Sequence, residues 1–381
     1  MKENALQRKM AHFNAQNANR FFINLDWLQV HVQGRKSGRF EEFETPYLKV
    51  VRVRQTQVFK NVFEIRYKKH NRVLATYATD ALEHVMPTGH GILKVDNYYL
   101  YHFYFRIKKG LEWLLRRLDL EFIGITRLDI SYDFNEFNNR RNPENFIKAF
   151  LRNDLVKLKS TKGNVFFEHD KENRFHAIRF GSKSSAVTYK MYNKSKEMKD
   201  ETFKQHIYDR WKNDSGLDLA KEVWRLEFTI NANTNLILTE RSHLHFHSLD
   251  TLEVNVFAAA FKYLFGEYFD FRHNDRKQCR KDRMKPVNLL SFPAVFENAA
   301  FRKNNPFKKD SDRATKIFIK KLHLHQDEMR GKDDDFAFDA RAIVSKLISV
   351  YGLQTWAEKK GIDFDALNYV EDFNDTQKAY L

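Results

Sequence analysis

The chain has 381 residues, 42% of them hydrophobic and 15% aromatic, enough apolar surface for a packed core, which excludes a disordered protein. Its 66 Lys and Arg against 50 Asp and Glu leave a formal charge of +16, a balance that favours a polyanionic partner, nucleic acid before an anionic membrane. One cysteine, Cys279, excludes an internal disulfide and a multi-cysteine zinc site and fits a cytoplasmic location, and no apolar run approaches the roughly 18–20 residues that span a bilayer.

Residues 1–20 are polar, carry no apolar signal-peptide core and read as a tail. Phe21 to Val32 is rich in apolar and β-favouring residues and reads as the first core strand. Val50 to Tyr67 holds two further strands with a polar break at Lys60 and Asn61. Tyr98 to Ile107 is strongly aromatic and reads as a strand. Leu111, Leu114, Leu115 and Leu118 then follow the period of an amphipathic helix. After a strand at Arg127–Asp133, Asn142 and Pro143 open another helix, as cap and first helical residue, with Phe146, Ile147, Phe150 and Leu151 as its apolar positions.

Strands are expected at 164–168, 176–180 and 187–192, a charged helical segment at 194–213, and a strand from Trp224. Ser248 is placed to cap a helix whose apolar face is Phe257, Ala260, Phe261, Leu264 and Phe265. Between Phe271 and Pro286 seven Lys or Arg meet two Asp, and the composition changes. The expected organisation is a tail at 1–20, a catalytic body at 21–270 and a basic, partly helical C-terminal region at 271–381. Strands and helices intermix without a glycine-rich βα turn, so the expected class is α+β, an antiparallel sheet with flanking helices.

Strand alternation sorts the ionisable residues by face. Arg127, Asp129, Ser131 and Asp133 share one side, and Arg225, Glu227 and Thr229 share another. Such rows pair equally well as cross-strand salt bridges or as carboxylates around a hard divalent cation. Asp26 shares parity with Leu28, Val30 and Val32, and a carboxylate on an apolar face needs a cationic partner or a metal. Thr188, Lys190, Tyr192 and Lys194 share one face, whereas Tyr189 falls with Val187 and Met191. A nucleophilic tyrosine needs nearby cations or a base, since a free phenol titrates near pH 10. Lys190 and Lys194 supply such cations, although an exposed tyrosine between solvated lysines gives the same pattern.

The polar turn at Gly181–Ser185 offers Ser182 and Lys183 to a phosphate, or is an ordinary hairpin turn. Arg276, Lys277, Arg280 and Lys281 suit phosphate-backbone contacts, or a solvated helix face. His243, His245 and His247 spell a possible imidazole metal motif, but His323 and His325 repeat that spelling elsewhere in a chain with 15 His.

Taken in order, Asp26-Trp27, the leucines from Leu111 to Leu120, Thr126–Asp133, Gly181-Ser182 leading to Met191–Lys194, and Trp224–Glu227 resemble the replication initiation factor family, the Rep-trans type of rolling-circle initiators and related relaxases. The resemblance spans about residues 21 to 270; the part after Asp270 matches less well. It implies a fold related to the rolling-circle nicking enzymes and a tyrosine nucleophile, here Tyr192, forming a 5′-phosphotyrosine. It also implies Mg²⁺ or Mn²⁺ on carboxylates, here Asp129 and Glu227 with Asp26 or Asp133. Arg127 and Arg225 would orient those carboxylates or clamp phosphate. The partners it implies are origin DNA, double- and single-stranded, and a host helicase; a homodimer is compatible with it. A conjugative relaxase and a non-catalytic origin-binding protein are the competing expectations.

Overall fold

A computed structural model of the chain describes residues 20–34, 40–81, 86–159, 165–231, 236–238, 248–293 and 301–303, except 173, 183, 184 and 202. The chain divides into two compact units, Met1–Lys303 and Asn304–Leu381, and every described residue lies in the first. That unit is α+β. It is built on one eleven-stranded sheet in which all neighbours run antiparallel.

Two long strands form its centre, β1 (Phe21–Gly34) and β7 (Leu120–Phe134). On one side of β1 lie β6 (His90–Val95), β5 (Arg72–Ala81), β4 (Phe59–Tyr67), β3 (Leu48–Arg54) and β2 (Phe43–Glu44). On the far side of β7 lie β12 (Trp224–Asn231), β11 (Val187–Asn193), β10 (Phe175–Phe180) and β9 (Val165–His169). Two short antiparallel pairs stand apart: β8 (Leu155–Lys157) with β14 (Phe271–His273), and β13 (Leu236–Leu238) with β15 (Phe301–Lys303).

One face of the central strands is apolar by alternation. Leu128, Ile130, Tyr132 and Phe134 of β7 and Trp224, Leu226, Phe228 and Ile230 of β12 are all buried. A long helix, α6 (Val254–Tyr268), packs there, with Phe261 stacked on Tyr132 at 5.1 Å and edge-on to Phe228 at 5.2 Å. Helix α2 (Ile107–Arg117) buries Leu111, Leu114 and Leu115, and helix α3 (Pro143–Leu151) starts where Asn142 accepts a hydrogen bond from the Glu144 amide. On the opposite face the short helices α1 (Asn97–His102) and α5 (Gln205–Arg210) send Tyr101 to Arg225 of β12, and Trp211, just after α5, to Asp133 of β7.

Several expectations need correction. The aromatic run from Tyr98 is helical, not a strand: Asp96 caps it, accepting from the Tyr98 amide, and a 3-10 turn follows at Tyr104–Arg106. Tyr99, Leu100, Tyr101 and Tyr104 are all buried, so burial on several sides erased the helical period that a sequence shows. The break between β3 and β4 falls at 55–58, not at Lys60 and Asn61. Ser248 precedes a 3-10 turn and makes no side-chain cap, and α6 begins six residues later. Nor does the body end at Asp270. Phe271 is buried, its strand pairs with β8, and Leu289 and Leu290 join the core, so the unit continues to Lys303.

Candidate active site

Register brings the ionisable rows together. Across β11, β12 and β7, Lys190 lies opposite Glu227 and Glu227 opposite Ser131, while Tyr192 lies opposite Arg225 and Arg225 opposite Asp133. These residues therefore occupy one sheet face, the one not covered by α6. Tyr189 takes the other face, stacked on Phe180 at 4.8 Å. The two tyrosines are separated as alternation requires.

Asp26 reaches the same face through a bulge. Leu25 pairs with Ile130 and Trp27 with Asp129, which leaves Asp26 as the extra residue. A bulge re-aims a side chain, and that is why plain parity assigned Asp26 to the apolar row. Its Oδ1 accepts from Arg225 at 2.5 Å, from Tyr101 at 3.1 Å and from Asn97 at 3.0 Å.

Arg225 is fully buried and clamps Asp133 through two bonds, Nε to Oδ1 at 2.6 Å and a terminal nitrogen to Oδ2 at 2.8 Å. Trp211 donates its indole N–H to the same Oδ2 at 2.7 Å. Both Asp133 oxygens are thus taken by internal partners, which removes Asp133 from the metal-ligand set. Arg225 in turn orients Asp26 and Asp133 and is too enclosed to clamp a phosphate. Tyr101 and Asn97, which the sequence reading missed, complete this cluster. Their signal was indirect: a buried tyrosine hydroxyl usually finds a partner.

The open end of the site is more exposed. Arg127, its side chain 37% exposed, grips Asp129 through two bonds at 3.0 and 2.7 Å. Its guanidinium also lies 4.5 Å from the Trp27 ring. Lys190, 42% exposed, meets Glu227 Oε1 at 3.1 Å, and the Tyr192 hydroxyl donates to Glu227 Oε2 at 3.1 Å. The Lys190 and Lys194 ammoniums stand 4.6 and 5.4 Å from the Tyr192 ring. Lys194 is the first residue of helix α4 (Lys194–Asp200), not the end of the strand, and its buried ammonium bonds both Glu197 oxygens.

Burial decides most of the electrostatics. It raises the pKa of Asp129 against the opposing pull of Arg127, and raises Glu227, with Asp26 and Asp129 adding repulsion and Lys190 opposing. Burial also works to raise Asp26, but Arg225 and Lys194 overcome it and hold that carboxyl well below its ordinary range. The Tyr192 phenol is pushed well above its ordinary value by burial and then by the Glu227 carboxylate. Burial and Arg225 lower Lys194, while for Lys190 the effect of burial is outweighed by Glu227 and the pKa rises. Tyr192 therefore holds its proton, which it donates in the hydrogen bond to Glu227.

Among the described residues no group of three or more His, Cys, Asp or Glu is arranged to hold a metal ion as the side chains stand. The donor chemistry nevertheless suits a hard cation. Asp26, Asp129 and Glu227 repel one another, and the buried side chain of Asn24, opposite Ser131, has no hydrogen-bond partner among the described residues. Lys190 and Arg127 are exposed enough to vacate Glu227 and Asp129 for such an ion.

The remaining candidates lie away from this cluster. Gly181 adopts a φ of +95°, and the turn after it closes from Ser185 N–H to the Ser182 carbonyl at 3.0 Å with the two hydroxyls 3.1 Å apart. It is the hairpin turn between β10 and β11. Arg276, Lys277, Arg280 and Lys281 are exposed in a loop with one 3-10 turn, so they form no helix face. Lys183 and His243–His247 lie outside the described residues.

No protein-family model matches the chain, and no curated protein matches it in sequence. Among solved structures the chain is similar to a rolling circle replication initiator protein from Geobacillus stearothermophilus, at 14% identity and a TM-score of 0.44, over 73% of this chain and 94% of that one.

Proposed function

We propose that this chain is a DNA nicking and strand-joining enzyme that starts rolling-circle replication, with Tyr192 as nucleophile. The observation that carries the reading is the Tyr192–Glu227 hydrogen bond on the sheet face not covered by α6, with Lys190 and Lys194 against the phenol ring. The Tyr192 oxygen attacks a backbone phosphorus of single-stranded origin DNA while its proton passes to Glu227. The P–O3′ bond breaks, the departing 3′ oxygen takes a proton from water, and the 5′ phosphate remains esterified to Tyr192. Because the bond is kept as an ester, the reverse attack by a 3′-hydroxyl rejoins the strand without ATP. Arg127 and Lys190 neutralise the phosphate. Arg225 acts at one remove by fixing Asp26 and Asp133. Asp129, Glu227 and Asp26 would hold Mg²⁺ or Mn²⁺, which when bound polarises the scissile phosphate.

The test is covalent capture. Labelled single-stranded DNA tiling the replicon that carries the gene is incubated with protein and Mg²⁺ or Mn²⁺, and the adduct is mapped by peptide mass spectrometry. Tyr192→Phe abolishes the adduct while Tyr189→Phe keeps it; Glu227→Gln slows its formation by about 10²–10⁴-fold, the usual worth of a positioned base. An adduct on another tyrosine rejects the assignment.

A second reading, a non-catalytic origin-binding protein, draws on one observation: Asp129, Glu227, Arg225 and Lys194 are all already ion-paired. Tight origin binding by wild type without any adduct selects that reading. A relaxase shares the chemistry and differs in its gene neighbourhood.

A further inference from the structure

A cleft of about 430 Å³ lies beside the site, with Tyr98, Tyr101, His102, His206, Asp209 and Asn213 in its lining. Its size falls in the range of small-ligand sites, about 300–1,000 Å³. Two chains of bonds tie its wall to the site. The Tyr101 hydroxyl bonds Asp26 and accepts from Arg225. His206 meets Asn97 Oδ1 at 2.8 Å, and Asn97 donates to Asp26.

Two features of the lining indicate what it holds. The first is a column of flat groups. The Arg72 guanidinium lies 4.0 Å over the Tyr98 ring, and Tyr98 stacks on His102 at 5.7 Å and 18°. His102, which is exposed and also meets Phe103 edge-on at 5.0 Å, lines the cleft. Burial and then Arg210 lower the pKa of His102, and burial with Lys204 pushes His206 down to about 4, so both imidazoles are neutral at pH 7. Neutral rings suit stacking against a planar, uncharged ligand.

The second feature is charge. Arg210 is occupied by Asp214 and by the carbonyls of Tyr101 and His102. That leaves Asp209 and Asn213, both exposed, as the groups to meet a ligand. Asp209 accepts from Gln205 at 2.7 Å through one oxygen. A carboxylate accepts hydrogen bonds and repels phosphate. The lining therefore suits the edge of a base that carries N–H donors, and guanine presents two side by side.

We infer that this cleft holds one unpaired base of the DNA, guanine by preference, stacked on His102 and read by Asp209, next to the phosphate attacked by Tyr192. The inference rests on the DNA-nicking reading and adds a source of sequence preference to it.

The test uses the full-length protein and fluorescein-labelled thymidine dodecamers, either plain or with one central guanine, adenine or cytosine, compared by anisotropy at fixed salt. The guanine oligonucleotide is expected to bind wild type tightest. His102→Ala should weaken its binding by about 5- to 150-fold, which is roughly 1–3 kcal/mol, the worth of stacking one base on an aromatic ring. Asp209→Asn should remove the preference for guanine, bringing the four oligonucleotides to equal affinity, with any gain from the lost negative charge shared by all four. Both side chains are exposed, and circular dichroism checks that the variants fold. Equal binding of all four oligonucleotides by wild type, or variants that behave as wild type, overturns the base-reading cleft and leaves the DNA reading intact. If no single strand binds at all, both readings fall.

Discussion

At the scale of single residues, the site is governed by where burial and pairing leave each charge. Arg225 shows this most clearly, since it is enclosed with Asp133 and Asp26. Its removal leaves two carboxylates with no cation between them, and breaking a buried pair from one side costs about 3–5 kcal/mol. Arg225→Met should lower stability by that amount in urea unfolding, and adding Asp133→Asn should recover part of the loss. An unchanged midpoint in the single variant would show that the cluster is open to water. Lys157 gives a pH test. It is nearly buried, its ammonium donates to the Lys159 carbonyl at 2.8 Å, and burial, with Lys159 adding, pushes its pKa down to about 8. Below pH 8 both folded and unfolded chains bind the proton, and folding carries the full cost of burying it. Between about 8 and the ordinary 10.5 only the unfolded chain binds it, so this residue's contribution to stability rises with pH. Lys157→Met should therefore stabilise the protein at pH 7, by at most on the order of 3 kcal/mol, and flatten the rise above pH 8. Urea midpoints at neutral and alkaline pH read both effects.

At the scale of elements, the sequence was legible wherever polar and apolar residues alternate between the two faces of a segment. The Arg127 and Trp224 strands and the split between Tyr189 and Tyr192 are period-two patterns, and the structure places them on faces accordingly. Legibility failed where apolar and aromatic residues are buried on several sides, as at Asn97–His102, and where one inserted residue changes parity, as at Asp26. It failed also for the partners of Arg225, because Tyr101 and Trp211 come from helices whose docking no local pattern encodes. The apolar face depends on α6. Phe261, fully buried between Tyr132 and Phe228, joins that helix to the two strands that carry Asp129 and Glu227 on their other face. Phe261→Ala should cost about 3–5 kcal/mol. If α6 also sets the flatness of those strands, adduct formation should fall at temperatures where the variant is still folded. Full activity of the folded variant would make α6 a support for stability alone.

At the scale of the whole molecule, the +16 charge is uneven in its consequences, because many of the cations near the site are bound internally. The segment after Asp270 is different. The composition change there marked a domain boundary in the sequence, yet the apolar anchors Phe271, Met284, Leu289 and Leu290 continue across it and hold the segment on the body. Composition reports the solvent side of a chain, whereas a boundary depends on which residues are buried. The result is an anchored loop that presents exposed Arg276, Lys277, Arg280 and Lys281. Arg280 is already paired with Asp282 at 2.8 Å, so Arg276, Lys277 and Lys281 have more charge to offer a phosphate. If these side chains contact the backbone of duplex origin DNA, binding should weaken steeply with salt, with a log–log slope of about 0.9 per phosphate contact. Replacing Arg276, Lys277 and Lys281 with Gln should lower that slope by about two to three, and replacing Arg280 alone should lower it by less than one. Titrations of one duplex at several salt concentrations measure both. A slope unchanged by the triple replacement would leave the loop a solvated surface, and duplex DNA would then have to meet the protein through other cations.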